Sequence, residues 1–381
     1  MAVGLIAEFN PFHDGHAFQL EEVRRKIPSA EIVAVMSGSF TQRGTPAILD
    51  KWTRAKLAVT GGVDLVLELP FTSAVRSAQD FATGAVRLLA GLGVIETLAF
   101  GAETSDLQKL KSIAAAFSGK IFQQELRAEI STGLSYAAAV EKILAPDGNF
   151  LRQPNTILAV EYLRALPESI KPLLIPRGEV QSSATEIRRL VYEKPTPWEK
   201  LSVPPFVLAE LKSAELVREE FLLRLICAKL LTSSAADLRE IFGMAEGIEF
   251  RLAETARAAR TFDELILGVT NRRFPISRVK RLLIHFLLDF KEPVLGDYAR
   301  VLAFNERGQA LLKKIRAASS LPVVTKVSKH LTSREIFSGE ILAPYKKNLA
   351  FDLRATDLRE ILFEVPKPAR QDFFISPRCQ R

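Results

Sequence analysis

Residues 3–27 read VGLIAEFNPFHDGHAFQLEEVRRKI, and they carry the signature that decides the fold. VGLIA is a short apolar run suited to a buried strand, and AFQLEEVRRKI repeats its apolar positions at helical spacing. A strand that passes through a tight polar turn into a helix opens an α/β unit. The same alternation continues outward. EIVAVMSG (31–38), VDLVLELP (63–70) and VIETLAFG (94–101) are further apolar strands, and LDKWTRAKLAVTGG (49–62) and SAQDFATGAVRLLAGLG (77–93) are the helices between them. Gly61–Gly62, Gly91 and Gly93 stand where those helices should stop. Near-continuous apolar strands separated by helices imply a doubly wound parallel sheet, covered on both faces, with its ligand site beyond the carboxyl ends of the strands.

The turn itself is chemically specific. His13 and His16 bracket Asp14–Gly15 at the mouth of the first helix. A helix N-terminus presents unpaired N–H groups and the positive end of the helix dipole, so it attracts phosphate. Two imidazoles at i and i+3 share one face of that turn and can serve one polyphosphate. Gly15 allows close backbone approach, Pro11 stiffens the entry, and Asn10 can bond backbone or ligand. A second phosphate-type helix start occurs in QSSATEIRRLV, with Ser182, Ser183, Thr185 and Arg188. Serine and threonine cap helices, and an arginine one turn in can grip phosphate with both arms of its fork. Lys51 and Arg54, one turn apart in LDKWTRA, can both face the site from the second helix. Asp50 can cap that helix or orient Lys51. Zinc is disfavoured, because no third ligand follows the histidine pair at suitable spacing.

Composition removes several alternatives. The chain has 381 residues, 48% apolar and 25% charged, with Gly 20 and Pro 20, which is globular and neither disordered nor fibrous. Two cysteines, Cys227 and Cys379, make no disulfide framework. The N-terminus lacks a signal peptide, and the greasiest run, LLIHFLLDF, is short and interrupted by His285 and Asp289. These features point to a soluble cytoplasmic protein, with nothing to suggest a membrane or a protein partner. His285 and Cys227 read as core residues, Trp52 as packing, and Cys379 as part of a loose tail.

Net charge divides the chain. Residues 1–195 hold 21 Lys+Arg and 21 Asp+Glu, so the whole excess of +8 lies in residues 196–381. The proline-rich stretch YEKPTPWEKLSVPPF (192–206) reads as a linker. It divides a catalytic unit, 1–193, from a basic and mainly α-helical unit, 205–381. In the latter, LPVVTKV is a strand or a buried turn. Basic clusters there suit a phosphate-rich partner: Arg272, Arg273, Arg278, Lys280 and Arg281, then Lys313 and Lys314, then Lys346 and Lys347.

HxGH after a first strand resembles the nucleotidylyltransferase superfamily and the related class I aminoacyl-tRNA synthetases. Three further stretches narrow this: SGSFTQRGTPAILDKWTRAKLAVTGGVDLVLELPF, FGAE and RQPNTILAVEYLRAL. Joined to EFNPFHDGH, they resemble the bacterial tRNA(Met) cytidine acetate ligases, strongly over residues 3–190 and more loosely beyond. The resemblance implies a Rossmann-like fold. It also implies that ATP activates acetate to acetyl-adenylate, and that the acetyl group passes to N4 of the wobble cytidine of elongator tRNA(Met). Magnesium would accompany the ATP. The ATP segment would be Ile6, Ala7, Glu8, Phe9, Asn10, Pro11, Phe12, His13, Asp14, Gly15, His16, Ala17, Phe18 and Gln19. Gly101, Asn155 and Arg177 would complete it. His13 and His16 would stabilise the α-phosphate and the leaving group, and Thr185 and Arg188 the β and γ phosphates, with Lys51 as a further catalytic cation. Ser37 and Gly38 are candidates for an acetate pocket. Only Gly178 to Gln181 separate Arg177 from SSATEIR here, where the family has a longer loop.

Two other functions fit parts of the sequence. A small-molecule adenylyltransferase making a dinucleotide coenzyme would share HxGH and SSATEIR but leave the basic second half unexplained. A non-catalytic RNA-binding protein on the same fold would leave His13, Gly15, His16 and Arg188 unexplained.

Overall fold

The computed structural model describes residues 1–117, 119–134, 136–144, 153–176, 183–293, 297–341 and 343–379. Strands β1 (Ala2–Ala7), β2 (Glu31–Ser37), β3 (Leu65–Leu69), β4 (Ile95–Ala102) and β5 (Lys171–Pro176) lie in the order β5-β4-β1-β2-β3, all parallel. The strands bury both faces. Val33 and Val35 of β2 enter one core, and Ile32, Ala34 and Met36 enter the other. This two-sided burial explains why the strands read as continuous apolar runs rather than alternating ones.

Helices α1 (Asp14–Lys26), α2 (Lys51–Thr60), α3 (Ala78–Gly91), α4 (Pro154–Ala165) and α5 (Ala184–Val191) cover the sheet. Leu20, Trp52, Ala55 and Ile187 fill one core, from α1, α2 and α5. Phe81, Leu88, Ala159 and Val160 fill the other, from α3 and α4. The left-handed glycines after α2 and α3 are Gly62 and Gly93.

The second half is mainly helical, including α6 (Ile276–Leu287), α7 (Glu306–Ala318), α8 (Pro344–Glu360) and the short α9 (Gln371–Phe374). Strands β6 (Ala299–Phe304) and β8 (Arg378–Cys379) depart from that expectation, while β7 (Val323–Val324) takes the strand alternative of LPVVTKV. Strand β6 pairs antiparallel with β3, and β7 and β8 pair with β6. The sheet therefore runs on past the compositional boundary at 192–206, and residues 1–193 and 205–381 share it. The cause is visible in β6: ARVLAF is buried along almost its whole length and needs a β partner for its backbone. LPVVTKV supplies the short β7. Cys379 sits in β8 rather than in a loose tail. Among the described residues, no helix is long and apolar enough to cross a membrane.

Candidate active site

The turn between β1 and α1 is built by its own histidines. His13 is the N-cap of α1, and its Nδ1 accepts the Gly15 N–H at 3.1 Å. His16 Nδ1 accepts the His13 N–H at 3.2 Å, closing a capping box made of two imidazoles. A neutral imidazole that accepts at Nδ1 carries its proton on Nε2. The backbone thus sets the tautomer of both rings and makes each Nε2–H a donor. The rings stack with centroids 3.8 Å apart, and Phe9 meets His16 edge-on at 4.9 Å. Asp14 turns away from this face and accepts the Ser202 hydroxyl at 2.8 Å.

Helix α5 arrives at the same turn from 178 residues away in sequence. Arg188 donates from Nη1 to the Asn10 carbonyl at 2.7 Å and from Nη2 to Thr185 Oγ1 at 3.1 Å. Burial pulls the Arg188 guanidinium below its ordinary pKa, partly opposed by Glu8. Ser183 caps α5 by accepting the Glu186 N–H at 3.2 Å. Asn10 accepts the Ile48 N–H at 2.9 Å, and its buried Nδ2 has no hydrogen-bond partner among the described residues. Two helix N-termini, two imidazoles and one arginine therefore converge at the carboxyl end of β1.

Gly101 lies near the end of β4, next to β1. Asn155 opens α4, and its Nδ2 donates to Glu103 at 2.8 Å. Glu103 also accepts the Thr156 N–H and hydroxyl, each at 2.8 Å. Burial pushes the Glu103 carboxyl up, but the bonds from Thr156 and Asn155 outweigh it and hold the group below the usual carboxylate value. Glu103 positions the α4 entry, and sequence reasoning missed it. Its partners lie 52 and 53 residues away, and its place at the end of FGAE, just beyond β4, was the sequence hint of a role. Arg177 and Ser182 lie outside the described residues.

Helix α2 behaves differently. Asp50 caps it, accepting the Thr53 N–H at 2.8 Å. Arg54 is fully buried and spends its donors on the carbonyls of Glu8 (2.7 Å), Ser37 (3.0 Å), Leu49 (3.1 Å) and Gly38. Burial lowers its pKa to about 10. The sequence places Lys51 toward the nucleotide. It is instead sealed inside, with Nζ 2.8 Å from Glu68 and 2.7 Å from Asp372. Arg300 of β6 completes the cluster, at 3.0 Å from Glu68 and 2.5 Å from Asp372. A cation without water must be paired, and these carboxylates pair it. Gly38 faces the same cluster, because a Cβ there would strike the Glu68 carboxylate. The void beside it, lined in part by Ser39, Phe71 and Asp352, is about 10 Å³, on the scale of one water molecule. Ser37 Oγ is buried without a hydrogen-bond partner among the described residues.

The HIGH Nucleotidyl Transferase family profile matches residues 1–372. A tRNA(Met) cytidine acetate ligase from Syntrophomonas wolfei is 36% identical, covering 98% of both chains. Its counterpart from Halothermothrix orenii is 33% identical, again over 98% of both. The chain belongs to the tRNA(Met) cytidine acetate ligase family. A crystal structure of Thermotoga maritima TmcAL bound with alpha-thio ATP matches this fold with a TM-score of 0.87, at 28% identity and over 100% of both chains.

In this member of the tRNA(Met) cytidine acetate ligase family, the basic residues fall in three places. Arg272, Arg273, Arg278 and Lys280 gather around the start of α6. Arg273 pairs with Glu246 and Lys280 with Glu219, while Arg278 stacks on Phe274 at 4.0 Å. Lys313 and Lys314 lie on α7, and Lys314 pairs with Glu31 at the amino end of β2. That is the end opposite the histidine turn, a strand length of about 20 Å away. Lys346 pairs with Glu335 and Lys347 is exposed, both at the start of α8. The sequence grouped these residues by charge, and the fold distributes them over separate surfaces.

Proposed function

We propose that the protein activates acetate with ATP to acetyl-adenylate, releasing pyrophosphate, and transfers the acetyl group to N4 of the wobble cytidine of elongator tRNA(Met). The observation that carries this reading is the convergence of the His13 and His16 Nε2–H donors, the α1 N-terminus and the Arg188–Thr185 pair at one strand end. An acetate oxygen attacks the α-phosphorus, and the bond to pyrophosphate breaks. Negative charge grows on the phosphoryl oxygens and the departing group. Positioned donors are what this step requires, and no covalent enzyme intermediate is needed. His13 and His16 serve the α-phosphate and the leaving oxygen, and Thr185 and Arg188 the terminal phosphates. Gly101, Asn155 and Arg177 hold the nucleoside side. Magnesium enters with the polyphosphate; among the described residues, no three His, Cys, Asp or Glu are grouped to hold a metal.

In the second step the cytidine amine attacks the acetyl carbon, AMP leaves, and the amine loses a proton. The strands and helices of residues 205–381 present RNA to the neutral catalytic unit of residues 1–193, in the cytoplasm. The test is mass analysis of nucleosides from tRNA incubated with the protein, ATP and labelled acetate. Labelled N4-acetylcytidine in tRNA(Met) is the expected product. Dinucleotide formation from ATP and a mononucleotide, with tRNA unmodified, would overturn the reading in favour of a coenzyme-forming adenylyltransferase.

A further inference from the structure

The TQRG turn (41–44) that follows β2 is clamped between the nucleotide turn and α6. On one side, the Gln42 N–H donates to Glu8 at 2.6 Å. On the other, Arg281 of α6 donates from Nη1 to the Gln42 carbonyl at 3.5 Å. The Gln42 side chain donates to the Arg76 carbonyl at 2.7 Å. Gly44 has φ +78°, and a Cβ there would lie 2.5 Å from the Arg281 nitrogen, so the turn and α6 touch backbone to backbone.

This clamp assembles arginines with little to neutralise them. Burial lowers the Arg281 pKa to about 10, and Arg278 and Arg76 push it further in the same direction, with Asp80 opposing. Asp80 is already paired with Arg76 at 3.0 Å. Arg76 lies over the Phe242 ring at 4.2 Å, and its buried Nε has no hydrogen-bond partner among the described residues. Among the described residues, no carboxylate lies within ion-pairing distance of Arg278 or Arg281. Mutual repulsion between buried Arg76 and half-buried Arg278 and Arg281 is a cost that a bound anion removes. The fork of Arg281 suits a phosphodiester, and its helix reaches the catalytic unit directly at Gln42.

We propose that Arg281, with Arg278 and Arg76, forms a phosphate site for the backbone of the acceptor RNA, held against the nucleotide turn by Gln42 and Gly44. This rests on the ligase reading above for the identity of the RNA. The polyphosphate of ATP has its own donors on α1 and α5, so the arginine site takes the second substrate. It anchors RNA while the target cytidine reaches the acetyl-adenylate.

The test compares the full-length protein with Arg281→Gln and Arg281→Lys, using a tRNA(Met) transcript and no lysate. Filter binding over a salt series should show Arg281→Gln weakening RNA binding about tenfold, with a log–log salt slope smaller by about 0.7–0.9. Arg281→Lys should keep most of the slope. Pyrophosphate release with ATP and acetate, in the absence of RNA, should stay within about twofold of the original. Unchanged RNA binding and slope in a folded Arg281→Gln protein would overturn the proposal. So would an equal loss of RNA-free pyrophosphate release, which would assign the site to ATP. If the original protein binds RNA through Arg281 yet acetylates nothing, the ligase reading fails and the phosphate site stands.

Discussion

The α1 turn and the start of α2 use the same kinds of side chain to opposite ends. At α1, His13 and His16 give their Nδ1 atoms to the backbone, which leaves Nε2 as the proton-bearing nitrogen of each neutral ring. At α2, Lys51 and Arg54 turn their donors inward, onto Glu68, Asp372 and four carbonyls. Both regions sit beyond the carboxyl ends of the strands. One uses imidazoles to cap a helix start, and the other uses cations to fasten the loop and the second half of the chain to the sheet. Arg359 of α8 extends this fastening, donating to Ala47 at 2.8 Å and Ile48 at 3.1 Å. Position beside an active site therefore does not make a cation catalytic; what its donors already hold decides.

Lys51→Met gives the largest effect expected from this contrast. It leaves Glu68 and Asp372 sharing only Arg300, and unfolding by denaturant should show a loss of about 3–5 kcal/mol. The KM for ATP of the folded fraction should hold. A stable Lys51→Met protein that cannot form acetyl-adenylate would move Lys51 into the catalytic group.

His16→Ala should do the reverse. Acetyl-adenylate formation should fall by about 10²–10³-fold, as when a positioned donor is removed, with about 1 kcal/mol lost from the missing cap. Binding of a tRNA transcript should be unchanged. A fall in stability that matched the fall in rate would erase the distinction between the two regions.

His285 of α6 sharpens it through pH. Burial holds its imidazole down at about 4, against an ordinary 6.5, while Nε2–H donates to the Val75 carbonyl at 2.8 Å. The folded pKa is depressed, so this stabilisation is present above pH 6.5 and is lost as pH falls through 4. The difference amounts to ~3 kcal/mol. Urea unfolding of His285→Gln from pH 7 to 4 should show a correspondingly flatter profile. The smallest effect is expected of Glu103→Gln, which keeps a cap but loses its charge. It should cost about 1 kcal/mol and raise the KM for ATP a few-fold, measured by pyrophosphate release.

Much of the site was legible because its signals are local. HDGH marks a helix start, SSATEIR marks another, and a parallel sheet brings such starts to one edge. The first four strands and the helices between them followed from periodicity for the same reason. What escaped the sequence depends on distant partners. The pairing of β6 with β3 joins residues more than 230 positions apart, and ARVLAF alone cannot announce an antiparallel neighbour. Lys51 reads as an exposed helix cation until Glu68, Arg300 and Asp372 are brought to it. The stretch SGSFTQRG…LDKWTRA gains a physical reason as well. Its carbonyls are held by Arg54 and Arg359, Ser39 meets Thr356 of α8 at 3.1 Å, and Gly44 admits α6.

In the proposed chemistry the backbone locks His13 and His16 as Nε2–H donors toward phosphate. Nitrogen NMR of the histidine-labelled protein at neutral pH tests it directly, with His13 and His16 assigned by single substitution. An unprotonated Nδ1 and a protonated Nε2 are expected in both rings, with added ATP shifting the Nε2 resonances most. Protons on Nδ1, or Nε2 resonances indifferent to ATP, would contradict it.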